Sequence, residues 1–435
     1  MTRLLLLVCL TIQFSFQAQA QSVTTSGNES LRRKLQEKLE AFHAAGKFPG
    51  ATVGVALADG TSFGLAAGLS DVSRKKAMTP DDLLLQGSVG KTYVAAVALQ
   101  LVHEGKIGLD DKIEKWLGRE SWFARLPNAR DITVRMLMNH TSGLVRYEFN
   151  EKFTKDLTNQ PDKVWKPEEL ISYILDTRAP FAAGQGWDYS DTNYIVLGLI
   201  IERATGATYY QELTRRILKP LGLKQTVPSD SRIIKGLAQG YAGADNPFGG
   251  SDAMIANGKF AINPQFEWTG GGIASTSADL ARWGKLLYEG RAFDSSLLKQ
   301  MLEGVPARLG PEAKYGLGVI IRPTPHGISY GHSGFFPGYI TEMMYFPESK
   351  IAIAIQVNSS VARATPKSLS RFIIELAEVV LAEKSRGKIT SHLREKKNSD
   401  DEILKRSRRL VVDDSDAVFD VRIVCVSGRG SNCDT

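Results

Sequence analysis

Gln86-Gly87-Ser88-Val89-Gly90-Lys91-Thr92 stands at the head of an apolar helical run, Val89 to Glu104, and admits two chemical readings. One is a phosphate-binding loop, because Gly90-Lys91-Thr92 matches its end. That pattern needs a glycine five residues before the second glycine, and position 85 is Leu, so the spacing excludes it. The other is S-x-x-K, with Ser88 and Lys91 three residues apart and therefore on one helix face. A serine hydroxyl becomes a nucleophile when a neighbour takes its proton. A lysine does so only when neutral, and burial is the strongest force toward neutrality. The free N–H at the helix start also suits a developing oxyanion. S-x-x-K alone is common and by itself more often marks a capped core helix, so its meaning depends on distant partners.

Two such partners stand farther along. Tyr189-Ser190-Asp191-Thr192-Asn193-Tyr194 leads into the apolar segment Asn193 to Thr205, which reads as a loop entering a helix. A tyrosine there can exchange protons if a cation holds its phenolate; otherwise it covers the helix start. Gly331-His332-Ser333-Gly334 joins two strand-like runs, and its glycines would let a substrate lie along the backbone. The bland reading is a tight turn with an incidental histidine.

Around these motifs, Glu29 to Lys47 has a helical rhythm through Leu31, Leu35, Leu39 and Phe42. Ala51 to Leu57 and Thr61 to Leu69 form a hairpin signal about Ala58-Asp59-Gly60. Further strands are expected at Gly318 to Pro323, Ile328 to Gly331, Gly338 to Phe346 and Lys350 to Asn358, followed by a helix at Pro366 to Glu383. Between them the chain is mainly helical, with Pro167 to Asp176 another clear segment. The expected fold class is α/β of the α+β type. An antiparallel sheet is built from both chain ends (29–78 and 270–385) and flanked by terminal helices, with a helical subdomain at 79–269 inserted.

The 435 residues are 43% hydrophobic and 23% charged, which excludes a disordered chain, a collagen-like fibre and a polytopic membrane protein. The net charge of +7 is mostly local, since residues 384–409 hold ten basic and four acidic side chains; no nucleic-acid groove is indicated. Residues 1–20 read as an export signal: Arg3, an apolar run Leu4 to Phe16, and Ala18-Gln19-Ala20 at the cleavage site. The run is too short to span a bilayer, so the expected mature protein is soluble, without a membrane span, and periplasmic or secreted. Removal of Cys9 leaves Cys425 and Cys433, which could close a small loop within the charged tail at 386–435. No Cys nucleophile, metal site or cofactor is expected: the six histidines show no HExxH spacing.

Taken together, the motifs resemble the serine β-lactamase and penicillin-binding superfamily, most closely class C β-lactamases, D-alanyl-D-alanine carboxypeptidases and related esterases. Ser88-Val89-Gly90-Lys91 is similar to the first motif, Tyr189-Ser190-Asp191 to the second and His332-Ser333-Gly334 to the third. Linking stretches agree, among them Leu137 to Leu144, Gly270 to Thr276 before Asp279-Leu280, Tyr315 to Gly318 and Gly338-Tyr339. The resemblance covers residues 30 to 385. It implies that Ser88 forms an acyl-enzyme while Lys91 and Tyr189 share the proton work. Backbone N–H groups of Ser88 and Phe335 would form the oxyanion hole, and His332 would help hold charge on Tyr189. Asp191, Ser333, Gly334 and Phe335 would contact an ester, peptide or β-lactam. His140 and Asn139 lie in a linker with a structural role.

Two positions depart from the family pattern. Asp191 replaces the usual Asn, and an ionised carboxylate can only accept. It also favours a charged Lys91, opposing burial, so the sequence leaves the direction of the lysine's shift open. His332 replaces the usual Lys. Both changes point away from an efficient β-lactamase, and Asp191 should weaken recognition of a peptide amide. The three motifs together imply an exported serine hydrolase acting through an acyl-enzyme on an ester or a D-Ala-D-Ala-type peptide. The competing reading is a non-catalytic ligand sensor or scaffold of the same fold; the sequence gives no oligomeric state.

Overall fold

The computed structural model describes residues 28–244, 246, 251–383, 385 and 402. The export signal, the Cys425–Cys433 loop and the tail apart from Glu402 lie outside the described residues. Contacts divide the chain into one compact unit up to Leu381 and a second from Ala382. Both cores and the site belong to the first. No helix among the described residues is long and apolar enough to cross a membrane.

A nine-stranded antiparallel sheet forms the frame. Its strands are β1 (Gly50–Ala56), β2 (Ser62–Asp71), β3 (Lys76–Ala77), β4 (Val305–Pro306), β5 (Lys314–Tyr315), β6 (Ile320–Thr324), β7 (Gly327–Phe336), β8 (Tyr339–Phe346) and β9 (Ile351–Val357). The order is β3-β2-β1-β9-β8-β7-β6-β5-β4, so the two chain ends meet where β1 pairs with β9, Val53 opposite Ile355. The expected antiparallel sheet from both ends is therefore present.

The alternation in β9, Ile-Ala-Ile-Ala-Ile, explains how both faces are covered. Successive side chains point to opposite faces. Ile351, Ile353 and Ile355 pack with Leu35, Leu39 and Phe42 of helix α1 (residues 28–44) and Phe372 and Leu376 of helix α2 (residues 369–383). Phe42 and Phe372 stack with centroids 4.0 Å apart. Each such buried side chain contributes roughly 1.5–3 kcal/mol. Ala352 and Ala354 face the other core, which includes Leu280, Ala281 and Trp283 of helix α3 (Ser277–Tyr288). Small residues let α3 lie close. At Gly54 an added Cβ would stand 1.7 Å from the Ser277 carbonyl oxygen, so only glycine permits that approach.

The third motif lies inside a strand rather than between two. β7 runs unbroken from Gly327 to Phe336, and the motif's glycines, Gly331 and Gly334, serve close approach, not a turn. A Cβ on Gly331 would meet the Met343 carbonyl at 1.9 Å, and one on Gly334 the Gln86 carbonyl at 1.9 Å. Gly318 takes φ +74 and stays outside the ladder, so β6 starts at Ile320. Only Pro167–Ser172 of the expected Pro167 to Asp176 helix is helical.

Candidate active site

The nucleophile is aimed by backbone. Leu84–Leu85 pairs with Ile273–Ser275, and Gln86 N–H donates to the Ile273 carbonyl at 2.9 Å. The chain then turns at Gly87, φ +53, into a 3₁₀ turn, Gly87–Gly90, that runs on into helix α4 (Lys91–His103). A Cβ on Gly87 would lie 2.7 Å from the Phe335 nitrogen, so this turn is pressed against β7. The β6 ladder ends at the Ile320–Gly331 pair, leaving His332–Phe336 without a strand on that side among the described residues. Ser88 thus faces an open strand edge, with the Phe335 backbone beside its own.

Lys91 Nζ donates to Ser88 Oγ at 3.0 Å. It also makes short contacts with Asp191 Oδ1 and the Gly270 carbonyl, and its side chain is fully buried. Asp191 opens helix α5 (Asp191–Thr205). Its second oxygen accepts from Arg146 Nη2 at 3.2 Å, and Arg146 Nε donates to Glu148 Oε1 at 2.6 Å. Burial works most strongly against the Lys91 ammonium, but Asp191 and Tyr189 together outweigh it, and Lys91 is held above its usual range. Burial also opposes ionised Asp191, but Lys91, a hydrogen bond from Glu148 and the Arg146 charge keep it well below the carboxylate range. Burial, and then the Asp191 charge, push Glu148 up, so it stays protonated. The direction open in the sequence is settled: the resting lysine is a cation.

Tyr189 lies on the same group. Its ring centroid is 5.0 Å from Lys91 Nζ and 5.5 Å from the Arg146 guanidinium carbon. Burial raises its pKa, and the charge of Lys91 pulls it back. The hydroxyl faces Lys91 and Ser88 without closing a hydrogen bond of ordinary geometry. His140 packs against the ring at 4.2 Å, and its Nδ1 accepts from Asn193 Nδ2 at 3.0 Å.

His332 sits 6.2 Å from Tyr189, ring to ring. Its Nδ1 donates to the Ser333 carbonyl at 2.6 Å, which leaves Nε2 to accept from the Tyr315 hydroxyl at 2.8 Å. Burial, and then the charge of Lys91, lower its pKa to about 3. A neutral imidazole cannot supply the positive charge expected of it, and the cations beside Tyr189 are Lys91 and Arg146. Ser333 Oγ accepts from Arg322 Nη2 at 3.0 Å, while Arg322 Nη1 donates to Glu342 at 2.6 Å. A permanent charge therefore does stand at the third motif, on β6.

Behind Lys91, residues Pro264–Gly270 are kinked at Trp268, with φ 38 and ψ −115. Such a conformation costs about 1–3 kcal/mol. Its result is that the Gly270 carbonyl points at the ammonium. Glu267 in this segment is partly exposed, but its Oε2 is sealed off without a partner. Burial raises its pKa to about 8 against the opposing pull of Lys91.

Ser88, Lys91, Tyr189, Asp191 and His332 are thus gathered around one cleft, with Gly334 and Phe335 against the nucleophile turn and Ser333 on Arg322. Sequence reading missed Arg146, Glu148, Glu267, Tyr315 and Arg322. Tyr315 lay in a quoted linker; the others carry no local signal. Among the described residues no group of three or more metal-type side chains comes together.

The Beta-lactamase family model matches residues 35–395. Penicillin-binding protein 4* of Bacillus subtilis is 24% identical over 340 residues, 73% of this chain and 70% of the relative. A D-aminopeptidase of Brucella anthropi is 27% identical over 315 residues, 72% of this chain and just over half, 56%, of that protein. The crystal structure of D-amino acid amidase from Ochrobactrum anthropi SV3 superposes with TM-score 0.69 at 25% identity, covering 82% of this chain and 99% of that one.

Proposed function

The chain belongs to the Beta-lactamase family of serine hydrolases, and on that premise we propose that it cleaves esters or amides of D-amino acids through an acyl-enzyme on Ser88. The observation that carries the reading is the 3.0 Å contact from Lys91 Nζ to Ser88 Oγ, with the Tyr189 hydroxyl facing the same pair. Ser88 Oγ attacks the carbonyl carbon, and its proton passes to the Tyr189–Lys91 pair. That pair can accept only after losing one proton, since at rest both groups are protonated; its titration belongs to the two groups jointly. Negative charge on the carbonyl oxygen is met by the N–H groups of Ser88 and Phe335, each worth about 2.7–4 kcal/mol. The pair returns its proton to the leaving oxygen or nitrogen. Water then cleaves the acyl-enzyme with the same pair as base. His332 is a positioning residue, fixed as one tautomer by Tyr315 and Ser333.

D-configured substrates are proposed because the D-aminopeptidase and D-amino acid amidase carry that specificity in their names. The signal-like sequence of residues 1–20 supports an extracytoplasmic location. One observation favours a second reading: Asp191 holds Lys91 protonated, as a ligand sensor with no need of catalysis could afford. Hydrolysis of D- and L-alanine p-nitrophenyl esters, a D-Ala-D-Ala peptide and nitrocefin separates them. Turnover of the D-ester above the L-ester, lost in Ser88→Ala, is expected; saturable binding without turnover of any would establish the sensor.

A further inference from the structure

Arg146 belongs to none of the three motifs, yet it is fastened to the second one on both sides. The Val145 carbonyl accepts from Ser190 Oγ at 3.1 Å and Thr192 Oγ1 at 2.7 Å, and Tyr147 N–H donates to Thr192 Oγ1 at 3.2 Å. The guanidinium between these anchors bonds Asp191 and Glu148 and lies 4.2 Å from the ring of Phe149, itself 72% exposed. Its side chain stays 29% exposed, whereas that of Lys91 is sealed. Arginine has five N–H donors, and the bonds to Asp191 and Glu148 occupy two. The Nη1 hydrogens and one on Nη2 remain for a ligand.

The surrounding charges decide what that ligand is. Both Asp191 oxygens are taken, one by Lys91 and the other by Arg146. Glu148 Oε1 accepts from Arg146 Nε and its Oε2 is sealed from solvent, so neither carboxyl offers an open oxygen to an ammonium. The neighbouring imidazoles His140 and His332 are buried and uncharged. Of the two cations on Asp191, Lys91 is sealed and Arg146 is the exposed one.

We infer that Arg146 forms an anion-recognising subsite at the Asp191 end of the cleft, selecting substrates that carry a carboxylate and disfavouring those with a free ammonium there. This rests on the acyl-enzyme reading of Ser88. It sets the chain apart from a hydrolase that needs a free amino terminus. A charge-assisted pair at a partly enclosed site corresponds to roughly ten- to hundredfold in kcat/KM.

The test uses the full chain and p-nitrophenyl esters of N-succinyl-, N-acetyl- and unblocked D-alanine. A second series keeps the N-acetyl group and places a carboxylate on the phenol. Wild type is expected to prefer a carboxylate over its neutral counterpart at least tenfold in one series and to use the unblocked ester least. Arg146→Gln should collapse that ratio, and Arg146→Lys should restore part of it. No preference in either series, or equal use of the unblocked ester, overturns the inference without any variant. A preference that survives Arg146→Gln but is lost in Arg322→Gln overturns it too, since Arg322 is the cation at the third motif. Fluorophosphonate labelling of Ser88 needs no carboxylate: failure to label refutes the acyl-enzyme reading, whereas labelling without charge preference refutes only the subsite.

Discussion

Asp191→Asn should make the hydrolase faster at neutral pH. In the wild-type site Asp191 opposes Lys91 at contact distance and holds the proton that the Tyr189–Lys91 pair must lose before it can act as a base. Opposite unit charges about 4 Å apart interact by about 4 kcal/mol at an effective dielectric of 20, and 1.36 kcal/mol corresponds to one pH unit. Replacing the carboxylate by an amide should therefore move the rising limb of kcat/KM toward acid by about two to three pH units. The sign follows from the direction: a folded pKa held high keeps the base form scarce until alkaline pH, and removing its cause brings that form to lower pH. Glu148 offsets part of the change, because without the Asp191 charge it can ionise beside Arg146. Asp191→Asn combined with Glu148→Gln should expose the full movement. The amide can also donate to a substrate carbonyl, so amide turnover should gain relative to ester turnover. The assay is the pH profile of acylation from pH 5 to 10, with p-nitrophenyl ester and p-nitroanilide substrates. A limb that stays in place or moves toward alkali in both variants would refute the electrostatic argument.

Lys91→Ala should lower the acylation rate by about 10²–10⁴ and destabilise the fold by about 1–3 kcal/mol, since Asp191 loses one buried partner and keeps Arg146; a loss below tenfold with the fold intact would remove Lys91 from the proton path. Glu267→Gln should change how stability depends on pH. A carboxyl raised from 4.5 to about 8 in the folded state contributes stability that is present in acid and lost as pH rises through that interval. Wild type should lose about 2–4 kcal/mol from this group between pH 4.5 and 8, and the Gln variant should not; urea unfolding at a series of pH values reads the difference, and parallel profiles would contradict it.

Much of this molecule was legible because its signals are local or strictly ordered. The alternation of β9 and the rhythm of Leu31, Leu35 and Leu39 declare their faces within a few residues. Ser88, Lys91, Tyr189 and His332 were readable as one set because each stands in a short motif. The charge state was not readable. It is decided by burial and by the meeting of Lys91 with Asp191, a hundred residues apart, with Arg146 and Glu148 joining from more than forty residues away, through pairing that no periodicity encodes. His332 was read as helping to hold charge on Tyr189 because the family's third motif usually has a lysine there; its burial against Tyr315 is a tertiary fact. The third motif was read as a junction between two strand-like runs. Here the missing side chains of its glycines admit the backbones of Gln86 and Met343 instead. Two-residue strands such as Lys314–Tyr315 carry too few side chains to show a period.

The most direct test of the central claim is covalent. Wild-type protein incubated with a fluorophosphonate or with a D-alanine thioester, then quenched in acid, should gain the mass of one phosphonyl or acyl group, and peptide mapping should place it on Ser88. Ser88→Ala should gain none. An unmodified wild type, or an adduct that persists in Ser88→Ala, would contradict it.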